Sequence, residues 1–517
     1  MAGASPRGGL RRSLSVWQAI GLSIALMAPS MAANINPQAS AATAGRAVPL
    51  TFLIAAVGVL LVSYTFVRLC QYYHHSGSVY AFVGATLGPR AGVVAGWGLL
   101  GTYTFYAVVT STAAGIFGTA FLSAVGAWPH PPSWAPFLLA GVALALTLVV
   151  AVFPARRGTN VLLTVEGATV ALILVVTVIV LVRLLAGNAP GGHQFTLSVF
   201  APPTGTSFSP LFLGVVFGFL SFAGFEAAST LGEETTHPTR DIPRAILGTA
   251  VFGGIYFVVV TAIEMMGFGT NKTGVAAFSS SPSLLGDLGS SYVAGWLGDV
   301  ITLGTTISAF GCCLASTVGA SRLMYALARD AGGDRGLGRA GRTGAPAAAT
   351  LVIVAFAVAI YVIYLAAFGA TAEDSFAWSG TIGTLILLVV YVLATIGCII
   401  LVFVQRKLPV PMWQIIVPLA ALVVLGYTLY RNVIPYPPSG PGRWFPVVAG
   451  IWLVVALVTV FVAPGFSQRL GAASEVLGIS PGNVGSETGG RNGQPQLDHT
   501  GECRVLLVFC AHARRAR

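Results

Sequence analysis

Glu226 places an ionisable side chain where the surrounding sequence is made for hydrocarbon. It lies in LFLGVVFGFLSFAGFEAASTLGEETTHPTRDIPR (Leu211 to Arg244), after the apolar run Leu211 to Phe222 and two residues past Gly224. Twelve helical residues rise ~18 Å, little more than half of a ~30 Å hydrocarbon core. Glycine lowers the cost of unwinding at that depth. Beyond it Glu233, Glu234, Pro238, Arg240, Pro243 and Arg244 bring the segment into water. A membrane helix interrupted at mid-depth beside a carboxylate is a construction that secondary transporters use for a site. The alternative is a helix merely softened by glycine. On the first reading Ser221, Phe222, Ala223, Gly224, Phe225 and Glu226 form one wall. Carbonyls freed at Ser221 to Gly224 would take an amine, with Phe222 and Phe225 closing over the ligand.

A second break of the same kind predicts the opposite wall. Val16 to Met27 is again twelve residues, followed by Ala28-Pro29-Ser30 and a resumption through Asn34 to Pro37. Pro29 removes a backbone donor and clashes one turn back. Polar backbone released in a bilayer is tolerable only where it lines a cavity. Ala25, Met27, Ala28 and Ser30 are the candidate residues here, with donors around Ala28 and Ser30 facing an anionic group at a helix N-terminus. Tyr103 and Tyr106, on the third span, are added as candidate binding residues.

Two further sets of residues could carry a coupling ion. No lysine and no deep histidine lies in a span, so a proton must ride on Glu166, Glu226, Asp299 or the substrate itself. Glu166, about two turns into the fifth span, either reaches back to Arg156 or Arg157 or faces the interior. The hydroxyls of Thr302, Thr305, Thr306 and Ser308 at helical spacing suit a cation such as sodium or a substrate amine, or else bond their own helix carbonyls. Glu264, near the outer end of the seventh span, reads as solvated. No catalytic constellation of nucleophile, acid–base pair or metal cluster stands out. The six cysteines lack metal spacing, the adjacent His74 and His75 do not converge, and no cofactor is expected.

The elements that must position these residues are legible in composition. Of 517 residues 55% are hydrophobic and 8% charged, against ~25% charged in soluble domains. The apolar residues fall in about twelve runs long enough to span. The net charge of +11 is a topology signal rather than a nucleic-acid footprint. Arg46, Arg183, Lys272, Arg431 and Arg443 fall in alternate loops, while the remaining Lys and Arg of the 27 lie on the other side. That asymmetry sets both termini in the cytoplasm of a plasma-membrane protein, and 25 arginines against two lysines fit a GC-rich bacterial source. The first run lacks a small-residue cleavage site and is a first span, not a signal peptide.

The two twelve-residue half-helices start 195 residues apart, at Val16 and Leu211. Two five-span units, each opening with a broken helix, account for this spacing, and an odd number of spans makes them inverted repeats. The expected organisation is an all-α integral membrane protein of about twelve transmembrane helices with a five-plus-five inverted repeat, helices 1 and 6 broken, and two extra helices. The boundaries are a cytoplasmic segment 1–14, a transmembrane domain 15–464 (repeats 16–186 and 211–405, last helices 411–463) and a disordered tail 465–517.

Three stretches carry a family resemblance. GFLSFAGFEAASTLGEETTHPTRDIPRAI (Gly218 to Ile246), SGSVYAFVGATLGPRAGVVAGW (Ser76 to Trp97) and SRLMYALARD (Ser321 to Asp330) are similar, in order, to the sixth, third and eighth helices of the amino acid–polyamine–organocation permease superfamily. The resemblance covers roughly Ser15 to Pro464. It implies substrate held between helices 1 and 6, midway across the bilayer. Many relatives hold a substrate carboxylate on a Gly-x-Gly-Ile break in helix 1, whereas this chain has Met27-Ala28-Pro29-Ser30. Some proton-coupled relatives carry a lysine in helix 5, and here Glu166 lies in that neighbourhood. The expected function is a permease moving amino acids or related amines, coupled to a proton or to sodium, with lipid and small molecules as its partners. A polyamine or organic-cation permease, or an exchanger, is the same-class alternative, and a channel or sensor the alternative from another class.

Overall fold

The computed structural model describes residues 16–73, 79–152, 158–202, 207–231, 235, 237–330, 336–338, 346–437 and 439–462. Expectations for the N-terminal segment, His74, His75, Arg156, Arg157, Glu233, Glu234 and the tail from 465 lie outside the described residues. The architecture is all-α, as composition predicts.

Helix limits follow from local chemistry. The first crossing is two helices, α1 (Val16–Leu26) and α2 (Pro29–Ala44). Between them Ala28 takes a left-handed conformation, φ +45°, which non-glycine residues rarely adopt. Pro29 sits at the first position of α2, where its missing N–H breaks no helical bond. A short turn at Gly45 leads into α3 (Val48–Tyr72), and α4 (Val79–Leu87) then lies against α5 (Pro89–Ala124) and the later helix α14 (Ala372–Ile399). α6 (Ala135–Val152) and α7 (Gly158–Leu185) complete the first half. α8 (Leu211–Phe222) stops at Ala223. Gly224, at φ +105°, turns the chain into a 3-10 segment, Phe225–Leu231.

α9 (Pro238–Phe268) again opens on a proline. After it come two short helices, α10 (Lys272–Ser280) and α11 (Leu284–Tyr292), within what the sequence reading treats as an outer loop. α12 (Gly295–Asp330), α13 (Ala347–Phe368), α14 (Ala372–Ile399), α15 (Ile416–Val433) and α16 (Trp444–Val462) complete the chain. Thr371 and Asp374 close a reciprocal capping box at the start of α14.

Ten helical stretches among the described residues are long and apolar enough to cross a membrane. One of them, Ala19–Tyr72, holds both the broken first crossing and α3, and the shorter apolar helix Ala135–Ala151 adds α6. So divided, they supply the twelve crossings expected.

Packing separates a scaffold from a periphery. α5 packs most extensively on α12 and α14, α3 on α9, and α2 on α8. α16 buries few side chains, among them Ala449, Ala456 and Val460. Its Ile451, Val454, Val458 and Phe461 stand outward, where hydrocarbon rather than water surrounds them. Close approach of α5 and α6 depends on Gly115, because a Cβ there would collide with the Pro136 carbonyl oxygen. That oxygen is fixed by the backbone, so Gly115→Ala forces the helices apart. Overpacking of this kind costs ~1–3 kcal/mol, and a thermal melt of the purified variant in detergent should show a lower midpoint than wild type.

Candidate functional site

The two breaks face each other. A Cβ built on Gly224 would meet the Leu26 carbonyl carbon and oxygen, each at 3.3 Å, and Leu26 Cβ at 3.4 Å. At the first break, the Ser30 N–H donates to Glu166 Oε1 at 3.0 Å and the Ser30 hydroxyl donates to the same oxygen at 2.8 Å. An intact helix would have returned that N–H to the Leu26 carbonyl. The Leu26 oxygen instead meets the Cys312 thiol of α12 at 4.0 Å. The Tyr256 hydroxyl of α9 donates to the Pro29 carbonyl at 3.4 Å.

Glu166 is 7% exposed, and Ser308 of α12 lies beside its carboxyl group. Of the two sequence readings of this residue, the structure takes the interior one. Helix α2 is fixed further by Asn34. Its amide nitrogen donates to the Ser30 carbonyl at 2.9 Å and to Thr305 Oγ1 at 3.2 Å. Its amide oxygen accepts from Ser283 Oγ at 3.1 Å and from the Leu285 N–H at 2.9 Å. One buried amide thus joins the first crossing to α12 and to the outer helix α11.

At the second break the chain wraps around its own carboxylate. The N–H groups of Gly224 and Glu226 turn toward the Glu226 carboxyl group, and the Tyr391 hydroxyl of α14 faces it. Tyr103 and Tyr106 of α5 stand within electrostatic reach. Glu226 is 6% exposed, and its Oε2 has no hydrogen-bond partner. An unpaired buried carboxylate oxygen is costly, and it is the most conspicuous unfilled acceptor at the breaks. Ala25, Leu26, Tyr103, Ala223, Gly224, Ala227 and Cys312, on the two breaks, α5 and α12, are half-buried.

Other candidates make contacts within the fold. Phe225 is fully buried between Phe66 (5.7 Å) and Tyr391 (6.0 Å). Phe222 packs on Phe257 at 5.2 Å. This packing ties the break to α3, α9 and α14. The Ser221 hydroxyl donates to the Phe217 carbonyl at 2.9 Å and accepts from Asn36 Nδ2 at 2.6 Å. Met27, Ala28 and Ser30 are buried at the first break, and Tyr106 shares a 3.1 Å hydrogen bond with Thr384.

The hydroxyl series on α12 bonds its own helix: Thr302 to Gly298, Thr305 to Ile301 and Thr306 to Thr302, at 2.8–2.9 Å. Thr305 alone of the three also meets Asn34 of α2. Asp299, half-buried in the second turn of α12, stands apart from both breaks.

Glu264 corrects the sequence reading. It is fully buried, with no hydrogen bond to either oxygen. The reason is α10 and α11, which fold over the outer end of α9, where the Tyr292 hydroxyl donates to the Gly267 carbonyl at 2.9 Å. Sequence reasoning also missed Asn34, Tyr256 and Tyr391. For Asn34 a signal existed, an amide within a broken span. For the tyrosines only the tertiary fold reveals the partner.

Residues 15–467 match the amino acid permease family, which takes in both breaks and every helix just described. The chain belongs to that family. It is therefore a multi-pass membrane transporter rather than an enzyme. The permease is 28% identical over 324 residues to the low-affinity putrescine importer PlaP of Escherichia coli, covering 62% of this chain and 68% of that protein. It is 26% identical over 311 residues to the branched-chain amino acid permease BcaP of Bacillus subtilis, covering 56% and 61% respectively. The corresponding BcaP of Lactococcus lactis is 25% identical over 338 residues, covering 63% and 70%.

Proposed function

We propose that this permease moves amino acids or related amines across the cytoplasmic membrane, coupled to protons, with the substrate bound between the two helix breaks. The observation that carries the reading is the Glu226 carboxylate. It lies at the second break, opposite the first, with one oxygen unpartnered and three tyrosines around it. An ammonium group would complete that oxygen, and the Leu26 carbonyl of the facing break, which the helix no longer uses, is a second acceptor for it. Amine chemistry is common to the putrescine importer and the amino acid permeases to which the chain is similar. Glu226 is then an acceptor for the amine and the group that takes up a proton together with the substrate on the acidic side and releases both on the other. Its second oxygen still accepts from the amine when the carboxyl is protonated.

A thermal-shift screen of the purified permease against amino acids and diamines tests this reading. A ligand at 100 times its Kd adds ~2.7 kcal/mol to the folded state, which raises the melting midpoint by several degrees. At least one amine-bearing compound should do so, and the shift should disappear in Gly224→Leu. Failure of both compound classes to move the midpoint would contradict the proposal.

A further inference from the structure

Glu166 stands where an anionic ligand group would have to bind. The N-terminus of α2 is the natural anion site of the first break, but its donors are already used. The Ala28 N–H is bonded to the Ala25 carbonyl at 3.1 Å, Pro29 has no N–H, and both the N–H and the hydroxyl of Ser30 go to Glu166 Oε1. The Ala32 N–H is returned to Ala28. No more than the Met31 N–H of that turn is left for a ligand. Glu166 is itself more than nine-tenths buried and reaches α2 from another helix, α7.

At the second break the other carboxylate, Glu226, keeps an unpartnered oxygen. No lysine lies in any of the twelve crossings. The walls so described offer two carboxylates and the Leu26 carbonyl. They are rich in acceptors, and the backbone donors of the α2 N-terminus other than Met31 are occupied. A carboxylate brought to the first break would have to displace Glu166 or lie beside a like charge, which the low-dielectric interior penalises.

We infer that the substrate is an organic amine without a carboxylate, and that Glu166 is a built-in substitute for the carboxylate an amino acid would bring. This rests on the placement of the substrate between the breaks. Glu166 is a specificity residue in this scheme, acting by occupancy of the α2 N-terminus. The inference separates the amines from the amino acids within the substrate range proposed above.

The test uses matched pairs that differ only by the carboxylate: 1,4-diaminobutane against ornithine, and 3-methylbutylamine against leucine. Each compound is titrated against the purified full chain by thermal shift, then as a competitor of labelled amine uptake in proteoliposomes. In wild type the amine of at least one pair should bind about tenfold or more tightly than its carboxylated counterpart, a difference of ~1.4 kcal/mol. Glu166→Ala should narrow that gap by improving the amino acid. Glu166→Gln, whose side-chain oxygen still accepts from Ser30, should keep the preference for the amine.

Equal or tighter binding of the carboxylated member to wild type would overturn the inference while leaving the site intact. An amine preference unchanged in Glu166→Ala would overturn the assignment to Glu166. If Glu166→Ala does not purify folded, the wild-type comparison and the Gln variant decide. Silence of all four compounds would overturn the inference together with the placement of the site.

Discussion

Replacing Gly224 with leucine should abolish transport, with uptake falling about 100-fold or more, while the protein still inserts in the membrane. At φ +105° the backbone of Gly224 is in a region closed to side-chain-bearing residues, and strain of that kind costs ~1–3 kcal/mol. A Cβ would already press on the Leu26 carbonyl at 3.3 Å, and the rest of a leucine side chain would drive further between the two breaks. The helices that decide insertion, α8 and α9, lie outside this turn and keep their apolar sequences. Uptake is measured in proteoliposomes, with membrane extraction and size-exclusion profiles as the folding control. Wild-type uptake by a correctly folded variant would show that the substrate does not pass between Ala223–Gly224 and Leu26.

Glu226→Gln should retain exchange of substrate for substrate, at a higher substrate concentration because the amine loses a charged acceptor, but lose accumulation driven by a pH gradient. The amide is nearly isosteric and its oxygen can still accept from the Gly224 and Glu226 N–H groups that fold around the carboxylate. It cannot bind and release a proton. With one proton carried per substrate, each unit of pH gradient supplies ~1.4 kcal/mol, a tenfold accumulation. The variant's accumulation ratio should therefore fall to about 1 under a gradient at which wild type reaches about 10. Counterflow, which needs no net proton movement, should persist. A variant that still concentrates substrate under an imposed pH gradient alone would remove Glu226 from the coupling scheme.

Both breaks were legible because their causes are local. Pro29 deletes a donor wherever it stands, and a glycine beside an intramembrane carboxylate marks a place where a helix can stop. Twelve residues before each break is a length that needs no tertiary knowledge. The partners across space were not legible in the same way. Nothing in the sequence joins Glu166 to Ser30, 136 residues away, and arginines one turn outside offered it an equally good local partner. The structure settles the matter through the crossing of α7 and α2. The Glu264 expectation failed for a related reason. Distance from the end of an apolar run measures exposure only if nothing covers the end, and α10 and α11 cover this one. Phe222 and Phe225 show the converse limit. An aromatic side chain beside a break can close over a ligand or anchor the break to its scaffold, and nothing local foretells the anchoring ring contacts with Phe66, Phe257 and Tyr391. The hydroxyls of α12 had an intrahelical alternative from the outset, and Thr302, Thr305 and Thr306 all take it.

The most direct test of the central claim is uptake by wild-type protein in sealed proteoliposomes under an imposed pH gradient, acidic outside, with sodium absent. The labelled probes are 1,4-diaminobutane and leucine, supplied singly. The account predicts that at least one is concentrated inside well above its external level, and that a protonophore returns the ratio to about 1. Equilibration without accumulation, or accumulation that appears only when sodium is restored at constant pH, would contradict it.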